Sequence, residues 1–112
     1  MDKDFYKLDF KTRVIQIIQK IPYGKVTNYG TVATLAGAPR NAREVGYILH
    51  SLTKKYNLPW QRVINKEGYI SIRGEDVNIK NLQKSLLEKE GIEVNNDFMI
   101  DLEKYFWSGP ED

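Results

Sequence analysis

The chain contains no cysteine. That excludes a disulfide framework, a thiolate-ligated zinc and any thiol nucleophile. It has one histidine, His50, so a histidine metal site or a Ser-His-Asp triad is not expected, and His50 reads as a partly exposed helix residue. No apolar run approaches the ~20 residues that span a bilayer. Met1-Asp2-Lys3-Asp4 has no signal-peptide character, which makes a cytoplasmic protein the expectation. Internal repeats and low-complexity segments are also missing.

What remains is an ordinary soluble composition, 112 residues with 41% hydrophobic side chains, enough for one core and read as a single domain over 1–112. The net charge of +2 hides an asymmetry. Residues 1–73 carry 13 Lys/Arg against 5 Asp/Glu, a net +8, whereas residues 74–112 carry 4 against 10, a net −6. A basic body with an acidic tail suits a polyanion on one face and something else on the other.

Phe10, Val14, Ile17, Ile18 and Ile21 form one apolar stripe and predict an amphipathic helix over about 4–21, ended by Pro22-Tyr23-Gly24. Thr27 is a candidate N-cap for a short helix burying Val32, Ala33, Leu35 and Ala36. Gly37-Ala38-Pro39 breaks it, and a second helix is expected from near Arg40 to about Thr53, with Val45, Ile48, Leu49 and Leu52 inward. A small residue, Ala33, four before the turn glycine is a helix-turn-helix signal, because the two helices must approach closely there. At the head of the second helix Arg40, Asn41, Ala42 and Arg43 combine low profile with a long cation. A helix entering a groove needs that combination.

Arg62-Val63-Ile64 and Tyr69-Ile70-Ser71-Ile72 read as two strands joined by Asn65-Lys66-Glu67-Gly68, a hairpin wing. Asn78 is the expected cap of a last helix to about Glu90, with Leu82, Leu86 and Leu87 in the core. The segment 93–112 is acidic yet carries Phe98, Met99, Ile100, Leu102, Tyr105, Phe106 and Trp107, too apolar for a disordered tail, and is expected to pack on the body. The fold class is therefore mainly α with a small β-hairpin, a winged helix-turn-helix domain.

The least ordinary stretch is Leu58-Pro59-Trp60-Gln61-Arg62-Val63-Ile64. A flat indole after proline offers a stacking surface, and Gln61 and Arg62 supply donors that can fix the loop. This stretch resembles the active-site motif Pro-Cys-His-Arg-Val of the O6-alkylguanine-DNA alkyltransferases. Four further strings match that family in order and spacing: Ile21-Pro22-Tyr23-Gly24-Lys25-Val26, Asn28-Tyr29-Gly30, Ala42-Arg43-Glu44-Val45-Gly46 and Glu88-Lys89-Glu90-Gly91. Trp60 stands at the acceptor cysteine and Gln61 at the histidine. That replacement, and the tail through Leu102-Glu103-Lys104-Tyr105-Phe106-Trp107, resemble the alkyltransferase-like branch, which binds alkylated guanine without repairing it.

The resemblance implies roles by position. Tyr29 would crowd the phosphate 3′ to the lesion and offer its hydroxyl to a flipped base. Arg43 would enter through the minor groove and fill the vacated stack, with Ala42 letting the helix sit deep and Arg40 and Asn41 beside it on the DNA. Leu49, Pro59, Trp60 and Val63 would line the alkylguanine pocket, the carbonyls of Trp60 and Val63 accepting from the 2-amino group. Arg73 would lie over the base in a cation–π contact. Asn28, Gln61, Arg62 and Glu90 would be structural. Gly74 stands where the family has a loop serine. The resemblance implies no catalytic residue, metal or cofactor. As partners it implies duplex DNA with O6-alkylguanine and nucleotide-excision-repair proteins, bound by a monomer that in a bacterium would be nucleoid-associated. The alternatives from other classes are a winged-helix regulator reading a DNA sequence and a repair enzyme of non-cysteine mechanism using Glu75 or Asp76.

Overall fold

The computed structural model describes residues 3–71, 74 and 76–111. Helix α1 spans Phe10–Gln19 and is shorter than the periodicity suggested. The Asp9 carboxylate accepts from the Thr12 N–H at 2.8 Å and fixes the start. The residues before it form a separate 3-10 turn, Phe5–Lys7. Val14, Ile15, Ile17 and Ile18 are buried.

Helix α2 (Tyr29–Leu35) is capped by Asn28, whose Oδ1 accepts from the Thr31 N–H at 2.7 Å. Thr27, the expected cap, is wholly buried one residue earlier, in strand β1 (Thr27–Asn28). Helix α3 (Ala42–Tyr56) begins two residues later than expected and runs three further. It ends at Asn57 in the left-handed region, φ 50. Between α2 and α3 the chain turns at Gly37, φ 87, and the Ala38 N–H returns to the Ala33 carbonyl at 2.9 Å. Ala33 is fully buried there, so only a small side chain lets the two helices meet.

The small sheet is parallel. Strand β2 (Val63–Ile64) pairs with β1, Thr27 opposite Val63 and Asn28 opposite Ile64. This corrects the expected hairpin partner. The turn at Asn65–Gly68 does form, with Asn65 Oδ1 accepting from the N–H groups of Glu67 and Tyr69. Beyond it the chain pairs with the tail instead. Tyr69 lies opposite Met99, Ile70 N–H reaches the Phe98 carbonyl at 2.9 Å, and Ile100 N–H reaches the Gly68 carbonyl at 2.8 Å. Ile70 is buried in one cluster with Val94 and Ile100 of the tail, and its backbone pairs with that tail.

Helix α4 (Val77–Lys89) is capped by Asp76, not Asn78: the Asp76 carboxylate accepts from the N–H groups of Asn78 and Ile79. Its inner face is Lys80, Gln83 and Leu87. The Lys80 ammonium donates to the Tyr69 hydroxyl and lies 4.8 Å from the Phe98 ring centroid. Leu86 is half-buried, and Leu82, expected in the core, is 49% exposed. Helix α5 (Leu102–Tyr105) closes the tail.

Two buried clusters result. One joins α1, α2 and α3, with Trp60 and Trp107 packed against it. The other gathers Val26, Ile64, Ile70 and Leu87 with Ile92, Val94, Ile100 and Tyr105 of the tail. The tail is stitched to the body at Val26, whose N–H reaches the Tyr105 carbonyl at 3.0 Å while its carbonyl accepts from the Trp107 N–H at 2.8 Å. Among the described residues no helix is long and apolar enough to cross a membrane.

Candidate functional site

The site starts from the 3-10 turn Trp60–Arg62, set between α3 and β2. Pro59 fixes its entry, and the turn closes through Arg62 N–H to the Pro59 carbonyl (3.0 Å) and Val63 N–H to the Trp60 carbonyl. So short a turn holds its shape only if its side chains are anchored. Glu90, at the C-cap of α4, is the anchor. Its carboxylate accepts from the Gly24 N–H (2.8 Å), from Gln61 Nε2 (2.8 Å) and from Arg62 Nε (2.9 and 3.1 Å). Arg62 also donates to the Ile21 carbonyl at 2.8 Å and lies 5.7 Å from the Tyr23 ring centroid. Burial by itself would raise the Glu90 pKa. The hydrogen bonds from Gly24, Gln61 and Arg62, with the Arg62 charge, outweigh it and hold the carboxyl below its ordinary value. Three segments distant in sequence, 21–24, 61–62 and 90, are thereby locked together.

Above this turn lies an open cavity of about 890 Å³. Tyr29, Ala42, Arg43, Leu49, Trp60 and Val63 all line it. Tyr29 comes from the first turn of α2, and its ring runs past α3 at Gly46, where an added Cβ would sit 3.9 Å from the ring edge. Burial pushes the Tyr29 phenol pKa up, so the hydroxyl stays a neutral donor and acceptor. Ala42 and Arg43 are the first two residues of α3, and Arg43 is exposed at the cavity rim. Arg40 and Asn41 are exposed just before that helix and do not line the cavity. Asn41 Nδ2 donates to Glu44 at 2.9 Å. Pro59 lies outside the lining as well. Asn28 acts on the site through its cap of α2. Arg73 and Glu75 fall outside the described residues, as does Ile72 of the expected strand. Asp76 is occupied as a helix cap.

The far wall was not foreseen. It comes from α4, as Ile79, Leu82 and Gln83, and from the outer turns of α3, as Tyr47, His50 and Thr53. For α3 a signal existed, since 43, 46, 47, 50 and 53 repeat at helical spacing from Arg43. For α4 the signal was Gln83 on the same stripe as Leu87, a polar residue where the core pattern wants an apolar one. No Asp or Glu is among the described lining residues, and no cluster of three His, Asp or Glu that could hold a metal occurs among the described residues. The cavity offers a flat indole, apolar walls, a rim cation and a few fixed polar atoms. That inventory suits holding a planar, partly apolar ligand.

Comparison with known proteins gives this geometry a family. Residues 9–92 match the sequence profile of the 6-O-methylguanine DNA methyltransferase DNA-binding domain. A DNA base-flipping protein of Escherichia coli K12 is 46% identical over 99 residues, 88% of this chain and 74% of that protein. Alkyltransferase-like protein 1 of Schizosaccharomyces pombe is 38% identical, over 88% of this chain and 94% of that protein. Among solved structures, S. pombe Atl1 in complex with damaged DNA containing O6-carboxymethylguanine superposes with a TM-score of 0.81 at 37% identity, covering 96% of this chain and 98% of that one. The Mycobacterium tuberculosis O6-methylguanine methyltransferase gives a TM-score of 0.56 at 32% identity, covering 74% of this chain and 48% of that one.

Proposed function

This chain belongs to the 6-O-methylguanine DNA methyltransferase family, in its alkyltransferase-like branch, and from that premise we propose that it is a non-enzymatic sensor of O6-alkylguanine in duplex DNA. The observation that carries the proposal is the cavity itself. It opens beside the N-terminus of α3 and is lined by Trp60, the residue that the motif resemblance sets at the acceptor-cysteine position. The chain has no cysteine to receive an alkyl group.

In this account α3 enters the minor groove with Ala42 against the backbone and Arg43 in the stack. Tyr29 crowds the neighbouring phosphate, the nucleotide rotates out, and its base lies on Trp60 with the alkyl group toward Leu49 and the α4 wall. Flipping costs a few kcal/mol, least for a weakly paired lesion. Stacking, about 1–3 kcal/mol per base, offsets part of it, and insertion of Arg43 offsets more. Alkylation adds apolar surface and removes the N1 proton, so an apolar cavity prefers the lesion to guanine. Lys and Arg contacts to phosphate supply a salt-dependent background that ignores sequence. A monomer that binds without chemistry hands the lesion on, and nucleotide excision repair is the process suited to a bent, marked duplex.

The test is a binding titration at fixed salt, comparing one duplex with a single O6-methylguanine against the same duplex with guanine. Tighter binding to the lesion is expected, and equal affinity for the two duplexes would sink the sensor role.

A further inference from the structure

The two long walls of the cavity belong to different cores. The α3 wall stands on the first buried cluster, with α1 and α2 behind it. The α4 wall stands on the second cluster, through Leu87. The tail, residues 93–107, supplies none of the described lining residues, yet it reaches the α4 wall through Lys80. Lys80 is 5% exposed, and a lysine goes so deep only where its charge is compensated. Its ammonium donates to the Tyr69 hydroxyl. It lies 4.4 Å from the Tyr69 ring centroid and 4.8 Å from that of Phe98, within reach of cation–π attraction. Three segments meet at this cation: α4, the stretch that follows the Asn65–Gly68 turn, and the tail. The first two line the cavity close by, as Ile79, Leu82 and Gln83 in α4 and as Ser71 two residues beyond Tyr69.

Phe98 is held in a strained conformation to do this. Its φ is 60, in the left-handed region, where the other described non-glycine residue is Asn57. A short polar side chain tolerates that region, whereas a phenylalanine is kept there only by its surroundings. The turn at Asn95 does so: its carbonyl accepts from the Phe98 N–H at 3.0 Å, and its Oδ1 accepts from the Asp97 and Met99 N–H groups at 2.9 Å each. The Phe98 carbonyl in turn accepts from the Ile70 N–H at 2.9 Å. One residue of the tail thus grips both segments, α4 by its ring and the Tyr69–Ser71 stretch by its backbone. We propose that Lys80 and Phe98 are positioning residues for lesion recognition. Through them the tail sets the α4 wall against which the O6-alkyl group packs, and with it the preference for alkylated guanine. General DNA binding through α3 stands on the other core and does not depend on them. This rests on the lesion-sensing function proposed above.

The test measures Kd for two duplexes of one sequence, with O6-methylguanine or with guanine, and takes their ratio. Wild type is compared with Lys80→Met, which keeps the stem and removes the charge, and with Phe98→Leu, which keeps apolar bulk at the same backbone strain and removes the ring. Phe98→Tyr keeps the ring and is the rescue. An unfolded fraction weakens both apparent affinities alike and cancels in the ratio, so a loss of stability alone does not move it. Lys80→Met and Phe98→Leu should each lower the lesion preference about fivefold, the scale on which packing contacts away from a ligand couple to its site. Affinity for the guanine duplex should stay within about twofold of wild type, and Phe98→Tyr should match wild type in both. Phe98→Leu decides the question if Lys80→Met does not fold. An unchanged ratio in a folded variant, or an equal loss for both duplexes, overturns the positioning role and leaves lesion sensing intact. A wild type that does not distinguish the two duplexes removes the sensor function and this inference together.

Discussion

Glu90→Ala should be the most damaging single change near the site that touches no ligand. The Glu90 side chain is 5% exposed and its partner Arg62 is 16% exposed. Removing the carboxylate strands the Gly24 N–H, the Gln61 amide and a guanidinium left with the Ile21 carbonyl and the Tyr23 ring. Breaking a buried ion pair from one side costs about 3–5 kcal/mol. Residual exposure of Arg62 and its remaining contacts place this case near the lower end, about 3 kcal/mol. In a domain this size each kcal/mol moves Tm by about 4 °C, so the midpoint should fall by about 12 °C. Thermal and urea unfolding measure it directly. Glu90→Gln, which keeps an acceptor for Gly24 but loses the charge, should lie between the variant and wild type. The same carboxylate gives a pH signature. Its folded pKa is lowered, so the unfolded chain binds the proton more readily and stability rises with pH across this window. The contribution is complete above the ordinary Glu pKa and disappears as pH falls through the lowered one. Glu90→Gln should flatten that limb. A loss under about 1 kcal/mol for Glu90→Ala, with an unchanged acid limb, would refute the idea that this carboxylate locks the Trp60 turn.

Arg43→Ala should weaken lesion binding at least about tenfold in the duplex titration while leaving Tm nearly unchanged, because exposed side chains away from buried contacts contribute within about 0.5 kcal/mol. A large stability loss would show Arg43 to be structural. Gly68→Ala places a Cβ 2.6 Å from the Ile100 carbonyl at φ +86 and should cost about 2–3 kcal/mol in urea unfolding. Asp76→Ala should cost about 1 kcal/mol through the lost cap of α4 and Asn78→Ala almost nothing, and the reverse order would return the cap to Asn78.

The helix-turn-helix could be read in the chain because Val14, Ile17 and Ile18, then Val45, Ile48 and Leu49, repeat at helical spacing and Gly37 marks the break between α2 and α3. The cavity was legible through Tyr29, Ala42, Arg43, Leu49, Trp60 and Val63, because motif residues that share a site keep their order. The parallel pairing of Thr27-Asn28 with Val63-Ile64 was not, since two-residue strands carry no period and their partners lie far apart in the chain. Helix α4 misled for a different reason. Leucine spacing predicts burial only where protein covers the helix, and the face bearing Ile79 and Leu82 borders open space. Its covered face instead takes Lys80 under Tyr69 and Phe98, and Gln83 under the Trp60 turn. The cap assignments slipped by one or two positions because neighbouring Thr27 and Asn28, or Asp76 and Asn78, have interchangeable capping chemistry until a strand claims one of them.

The Val26 stitch carries a consequence for how the protein is made. Its partners, Tyr105 and Trp107, are translated some eighty residues later, and the adjoining cluster takes half its members from the same late stretch. The helix-turn-helix, whose contacts are mostly local, can form while the ribosome is still working. The second cluster cannot close until Tyr105 has left the exit tunnel, and it must close a long loop to do so. During that interval Val26, Ile64 and Ile70 lack their cover, so the nascent chain depends on fast completion, or on a chaperone, to avoid pairing its exposed strand segments with those of a neighbour.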